Sequence, residues 1–310
     1  MYTSGTVLQG SNKTDGLKFN EFSLKDIKLI KSYVDAFNPL SCEYNFSNLF
    51  TWQEAYRLSW TLYRERLLIY DGLSQYAFMP IGKALLPEEM VMLSISLKNV
   101  GRAPDFCLAT PDYLKKFPGI EKYYTIKKEP DAAEYIYDVN RLCELTGSKL
   151  HKKRNLISQF KRTHPDFEVC FLTGDYKSRA LALAQELMNR QKRYSKTLDH
   201  EFYAIKKSFE HFELLSLEGL VITIGEKVVA FSVFSQLGHS TYDIQFEKSD
   251  MDFKGAAQVI NHETAKYLKN KCRYLNREQD LGIKGLRQAK MSYEPVHLIT
   301  PYSLAFTPLN

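Results

Sequence analysis

The residues best equipped for chemistry lie near the C-terminus. Asn276-Arg277-Glu278-Gln279-Asp280-Leu281-Gly282 is followed by Arg287, Lys290 and Tyr293. A carboxylate in such a set can orient or deprotonate a nucleophile, or bind an ammonium group. Cations and N–H donors can stabilise an oxyanion. Arg287 and Lys290 are three apart, so they share one helix face. The same side chains could instead form a buried ion-pair network that fastens the last helix. Residue types alone leave both readings open.

Three other segments carry charge or capping groups. Lys149-Leu150-His151-Lys152-Lys153-Arg154-Asn155 places cations together on a helix, with Leu150, Ile157 and Phe160 facing inward. Such a face could hold a phosphate backbone through charge alone, or simply be a solvated face. Arg190, Lys192, Arg193 and Lys196 add a second basic run. The stretch from Glu247 to Ala257 joins a strand to a helix. A helix N-terminus there could receive an anion. Its one glycine, Gly255, and its two acids, Asp250 and Asp252, fit an ordinary packed cap better. Tyr44-Asn45-Phe46-Ser47-Asn48-Leu49-Phe50-Thr51-Trp52 reads as a helix N-terminus with a packed aromatic face. The seven histidines show no zinc-protease pairing. No phosphate-binding loop of the Walker type and no G-x-S-x-G elbow is present. These absences argue against a kinase, a P-loop NTPase and a typical serine hydrolase, and no metal is expected.

The elements that must position these residues follow from hydrophobic spacing. The first half reads as a helix over 22–37 with Ser23 and Asp26 as a capping box, and a second over 46–56. Short apolar runs follow at 58–63, 67–70 and 76–79, then a helix at 87–99 and strands near 105–108 and 123–127. The second half repeats the order. Helices at 150–160, 177–193 and 200–215 enclose a strand at 167–172. Strands at 220–224, 228–235 and 241–246 lead to a helix at 255–268, a strand at 273–276 and a helix at 283–291. The expected class is α+β, with two modules, 1–140 and 141–310, each a mixed, largely antiparallel sheet flanked by helices. This order resembles the GNAT acyltransferase layout in tandem.

Composition sets the outer limits. The chain has 310 residues, 44% hydrophobic and 25% charged, which suffices for a sizeable core. Only the glycine- and serine-bearing start, with Ser4, Gly5, Gly10, Ser11, Asn12 and Gly16, offers little to pack. A net charge of +6 permits phosphate, RNA or an anionic membrane as partner without requiring one. The five cysteines have no C-x-x-C pairing, and Met1-Tyr2-Thr3-Ser4 lacks a basic start followed by an apolar stretch, so no signal peptide is expected. Reduced thiols in the cytoplasm are therefore expected, with any membrane contact peripheral. No window is apolar enough over about 18 residues to span a bilayer.

Tyr44 to Trp52, Tyr135-Ile136-Tyr137, His151 to Asn155, Asn276 to Gly282 and Lys290-Met291-Ser292-Tyr293-Glu294-Pro295 together resemble the C-terminal domain of the phosphatidylglycerol lysyltransferases. The resemblance covers nearly the whole chain and implies a tandem GNAT fold. It also implies transfer of an aminoacyl group from a charged tRNA to a lipid or cell-envelope acceptor, with no further cofactor firmly implied. The membrane-spanning half of the full-length enzymes has no counterpart in these 310 residues. On this reading Asp280 and Glu278 bind the ammonium or act as base. Arg277, Arg287 and Lys290 face phosphate or oxyanion, and Tyr293 donates a hydrogen bond. Asn276, Glu247 and Gly255 complete the substrate site, while Lys152, Lys153 and Arg154 hold the tRNA acceptor end. Two alternatives stand beside it: an acetyl-CoA-dependent N-acetyltransferase, and a non-catalytic binding protein of the same fold.

Overall fold

The computed structural model describes residues 16–191 and 197–308. The start of the chain up to residue 15, and Lys192, Arg193 and Lys196 of the second basic run, lie outside the described residues. The first half runs α1 (Ile27–Phe37), α2 (Phe46–Thr51), α3 (Gln53–Tyr56), β1 (Leu58–Tyr63), β2 (Arg66–Asp71), β3 (Tyr76–Phe78), α4 (Pro87–Asn99), β4 (Phe106–Ala109), α5 (Pro111–Lys116), β5 (Tyr124–Lys128) and β6 (Glu134–Asp138). The second runs α6 (Val139–Glu144), α7 (His151–Thr163), β7 (Phe167–Phe171), α8 (Asp175–Gln191), α9 (Thr197–Glu210), β8 (Glu218–Ile224), β9 (Lys227–Gln236), β10 (Thr241–Ser249), α10 (Ala256–Leu268), β11 (Tyr274–Gln279), α11 (Lys284–Met291), β12 (His297–Ile299) and β13 (Tyr302–Phe306).

Local chemistry explains most boundaries. Asp26 Oδ2 accepts from the Ser23 backbone N–H at 2.8 Å, as a capping box requires. Asn38, at φ 44°, ends α1 in the left-handed conformation that asparagine tolerates. The hairpin between β1 and β2 turns on Arg64 and Glu65, both at positive φ, the geometry of a two-residue loop whose twist matches the strands. The helix expected over 46–56 divides at Trp52 into α2 and α3. There the Trp52 ring stacks on Phe246 with centroids 6.4 Å apart, tying the break to the second half of the chain.

The strands form two sheets, ordered β1-β2-β3-β4-β13-β5 and β12-β6-β11-β10-β9-β8-β7. Each contains an antiparallel meander followed by a parallel pair: β1-β2-β3 with β4, and β8-β9-β10 with β11. The two sheets exchange strands. β6 inserts between β12 and β11 of the second sheet, while β13 returns to the first, between β4 and β5. Neither β6, β12 nor β13 was expected as a strand. All three are 3 to 5 residues long, too short for alternation to register.

Three apolar clusters hold this arrangement. One lies under the first sheet and includes Leu68, Met90, Leu93, Phe106 and Leu304. A second lies between the second sheet and α6, α7 and α10, with Ile157, Phe160, Ile222 and Val259. The third joins the halves: Phe46, Leu49 and Phe50 of α2 pack with Phe209, Phe212, Phe231 and Phe246. Burying one such side chain contributes roughly 1.5–3 kcal/mol. α2 is therefore anchored on the face of the second sheet.

Candidate functional site

Two irregularities in neighbouring strands create the site. β10 and β11 run parallel through Thr241–Asp243 and Tyr274–Asn276, and their pairing stops there. Beyond that point β10 carries a bulge between Ile244 and Phe246. Ile244 packs in the α10-side core and Phe246 in the α2-side core, so the extra residue, Gln245, reverses the side-chain parity. Asp243 consequently faces α2, and Glu247 faces α10. In a regular strand these residues, four apart, would share a face. β11 has its own irregularity between Asn276 and Gln279. The Asn276 carboxamide accepts from the Glu278 N–H at 2.8 Å, and Glu278 sits at φ 55°. A non-glycine residue held there marks local strain of a kind common at functional sites.

On the α10 face the result is a cation set among aromatic rings. Arg277 Nη2 donates to Glu247 Oε1 at 2.7 Å. Its guanidinium carbon lies 5.0 Å from the Tyr293 ring centroid and 5.6 Å from that of Tyr137. Lys153 Nζ lies 4.1 Å from the Tyr293 ring. Arg277 Nη1 is buried and has no hydrogen-bond partner among the described residues. Glu247 also accepts from Asn261 Nδ2 at 3.2 Å. It lines a groove of about 340 Å³ between α8, α9 and the end of β10, beside Arg190, Glu201, Phe202, Lys248 and Met251. Burial pushes the Tyr293 hydroxyl up to about 12, so it remains a proton donor at neutral pH.

On the α2 face the result is a cluster of acids. Asn45 caps α2 by accepting from the Ser47 N–H, and its Nδ2 donates to Asp243 Oδ2 at 3.1 Å and Ser235 Oγ at 2.9 Å. Asn48 Nδ2 meets Asp243 Oδ2 at 3.0 Å, Glu278 Oε1 at 3.1 Å and the Cys42 carbonyl at 3.2 Å. Glu134, from β6, accepts from the Cys42 N–H at 2.9 Å and also from Ser41 Oγ and Asn276 Nδ2. Gln279 Nε2 donates to Glu43 Oε1 at 2.9 Å. Crowding of like charges out of water disfavours the ionised forms. Burial, then Glu134 and Asp71, push the Glu43 carboxyl up to about 7. Burial, then Asp243, raises Glu278 well above its ordinary value. Asp243 and the Cys42 thiol are raised as well, chiefly by burial. Lys290 sits by the bulge with Nζ donating to the carbonyls of Arg277 and Gln279, and burial brings it down to about 8.

The sequence candidates thus separate. Arg277, Glu247, Tyr293 and Lys153 converge on the α10 face; Asn276 and Glu278 join the acid cluster; Lys290 holds the strand between them. Asp280 and Arg287 stand apart. Asp280 is buried and takes four donors: Gly282 N–H and Arg287 Nη2 at 2.8 Å, Arg287 Nε at 2.7 Å, and the Tyr135 hydroxyl. The Arg287 bonds hold its carboxyl down to about 2. Arg287 also reaches Asp131 at 2.8 Å. A carboxylate so fully bonded is a poor base, and it lines neither the groove beside Glu247 nor the larger one, of about 490 Å³, beside Tyr203 and Lys207. Gly255, at φ 98°, serves packing: a Cβ there would lie 2.5 Å from the Leu156 carbonyl of α7. Arg154 donates to the carbonyls of Leu145 and Gly147, closing the turn after α6, whereas Lys152 is exposed. The residues that spacing did not single out are Cys42, Glu43, Glu134 and Asp243. The Ser/Asn-rich start of α2 was read as a packed cap; Asn45 and Asn48 do cap and pack, but they also reach strands about 200 residues away.

Comparison with known proteins places this geometry. The chain matches the family model described as "Phosphatidylglycerol lysyltransferase, C-terminal" over residues 35–305. A conserved protein of unknown function from Bacteroides thetaiotaomicron is similar, at 28% identity over 94% of this chain and 100% of that one, with a TM-score of 0.86. So is the C-terminal domain assigned to a lysylphosphatidylglycerol synthetase from Agrobacterium fabrum, at 13% identity over 92% and 93% of the chains, TM-score 0.65. No match to a functionally curated protein sequence was found. The fold is the expected α+β class, two mixed sheets flanked by helices, and no helix among the described residues is long and apolar enough to cross a membrane. With its meander-plus-parallel-pair sheets and a family match running from α1 to β13, the chain belongs to the family of the phosphatidylglycerol lysyltransferase C-terminal domain.

Proposed function

We propose that this protein transfers an aminoacyl group from aminoacyl-tRNA to a hydroxyl or amine of a lipid or cell-envelope precursor, in the cytoplasm or at the inner face of a membrane. The observation that carries this reading is Arg277: a guanidinium fixed by Glu247, whose buried Nη1 has no hydrogen-bond partner among the described residues, where β10 and β11 part. The acceptor attacks the ester carbonyl, its proton passes to Glu247, the Arg277 Nη1 group stabilises the oxyanion, and the ribose oxygen of the tRNA leaves, taking the proton back from Glu247. Tyr293 and Tyr137 hold the guanidinium between ring faces, Tyr293 adds a donor, and Lys153 over the Tyr293 ring adds a charge. Exposed Lys152 and Lys149 offer the tRNA backbone a charge contact. An acetyl-CoA donor is the less favoured reading, because Gly255 at the start of α10 is pressed against α7.

The test is transfer of labelled amino acid from charged tRNA to phosphatidylglycerol vesicles or envelope precursors, together with filter binding of tRNA over a salt series. Binding should weaken steeply with salt. Arg277→Ala should lower transfer on the order of 100-fold or more, the usual loss for one oxyanion donor. Salt-independent or absent tRNA retention, with stabilisation by acetyl-CoA instead, would sink the proposal.

A further inference from the structure

The acid cluster on the α2 face poses a problem that the transfer reading does not use. Cys42, Asp243 and Glu278 present one ligand atom each within 4.8 Å of one another. Asp243 is 0% exposed, and its Oδ1 has no hydrogen-bond partner among the described residues. Buried carboxylates are ordinarily paired with a cation or bound to a metal. Among the described residues this one is bonded only by two neutral amides, Asn45 and Asn48, both on Oδ2. Asn48 Nδ2 carries two hydrogens yet has three oxygens within 3.2 Å: Asp243 Oδ2, Glu278 Oε1 and the Cys42 carbonyl. More acceptors converge here than the donors can satisfy. Lys290 does not fill the gap, because its Nζ is directed at two backbone carbonyls.

We propose that Cys42, Asp243 and Glu278 bind one divalent cation of the zinc class, joining the segment before α2 to strands β10 and β11. One thiolate with two carboxylates suits a borderline-soft ion better than magnesium or calcium, which take oxygen ligands. Tetrahedral zinc sets its ligand atoms roughly 3.5 Å apart, so the side chains close in modestly on binding. Half-buried Glu278, on its strained turn, is the ligand free to do so. The outer contacts are in place: Gln279 Nε2 lies 3.5 Å from Cys42 Sγ, and Asn45 Nδ2 orients Asp243 through Oδ2, leaving Oδ1 for the metal. Three protein ligands leave a fourth position for a small molecule. The inference stands on the cluster alone and does not depend on aminoacyl transfer.

The experiment is titration of the chelator-stripped full chain with Co²⁺ and Zn²⁺. The expected result is one equivalent of Co²⁺ with a thiolate-to-cobalt charge-transfer band, displaced by Zn²⁺, and a rise in melting temperature with either ion. Cys42→Ser should abolish the band, and Asp243→Asn should weaken binding by more than about tenfold. If Cys42→Ser does not fold, Glu278→Gln, with the same expected loss of affinity, decides the matter. Sub-stoichiometric binding, or full affinity in the Asp243 and Glu278 variants, overturns the site as adventitious. The transfer activity of Arg277→Ala is read separately, so failure of one proposal is not failure of the other.

Discussion

Asp280 and Asp243 are both aspartates with no exposed surface, and their surroundings give them opposite properties. Asp280 receives four donors, two of them from one guanidinium, and its carboxyl is held down to about 2. Among the described residues Asp243 receives two amide donors on one oxygen and none on the other, amid Glu43, Glu134 and Glu278, and its carboxyl is pushed up. Burial alone raises a carboxyl. The direction that results depends on how many donors the fold aims at it. A saturated carboxylate fastens structure; an unsaturated one has capacity for a ligand. The first anchors α11 through Arg287, and the second lies where three elements from both halves of the chain meet.

The contrast breaks most visibly if the anchor is removed. Asp280→Ala leaves the Tyr135 hydroxyl and the Gly282 N–H without their acceptor and leaves Arg287 with Asp131 as its remaining ion pair. The expected loss is about 2 kcal/mol in urea unfolding, below the 3–5 of a fully buried pair because half-exposed Arg287 regains water. The acid limb should change too. Asp280 has a folded value of about 2 against an ordinary 3.8, so the stability it adds is full above 3.8 and fades as pH falls toward 2. The variant should lack that share of the slope. An unchanged acid limb would mean that Asp280 is not the anchor described here.

Much of the anchor was legible from the sequence, because its parts are close together. Asp280, Gly282, Arg287 and Lys290 fall within one turn and one short helix, where spacing does specify neighbours. A buried ion-pair network was one of the two readings their types allowed. The acid cluster was not legible. Asn45 and Asn48 carry the ordinary signature of a helix start, and nothing local tells that Asp243 waits 195 residues further on. Bulges hid the rest. Alternation along β10 would have put Asp243 and Glu247 on one face, whereas the extra residue at Gln245 separates them. The strand exchange escaped for a related reason: alternation identifies a strand's buried side but not its partners. The element order and the repeated meander-plus-helix layout were legible because meanders, helices and their turns are local.

The same contrast predicts a substitution of opposite sign. With chelator present, Asp243→Asn should raise stability by about 1 kcal/mol, measured by the same unfolding curves. The change removes a charge that its surroundings disfavour, and it replaces an unpartnered acceptor with a donor facing carboxylates. Loss of stability in metal-free buffer would show that Asp243 is satisfied as it stands, and the difference between the two aspartates would disappear.

The smallest expected effect tests how evenly the anchor's load is shared. Tyr135→Phe deletes one donor to Asp280 Oδ2 and keeps the ring, which is buried beside β11. Asp280 retains both Arg287 bonds and the Gly282 N–H. A hydroxyl bond to a carboxylate is ordinarily worth roughly 1.5–3 kcal/mol, and because three charged or backbone donors remain the loss should fall at or below the low end, about 1 kcal/mol. The expected outcome is a small shift in the urea midpoint with an unchanged slope. A loss equal to that of Asp280→Ala would place the hydroxyl, and not the guanidinium, at the centre of the anchor. The carboxyl would then be held by β6, the strand that crosses from one half of the chain to the other's sheet, so that strand exchange and ion-pair anchor would form one cooperative unit.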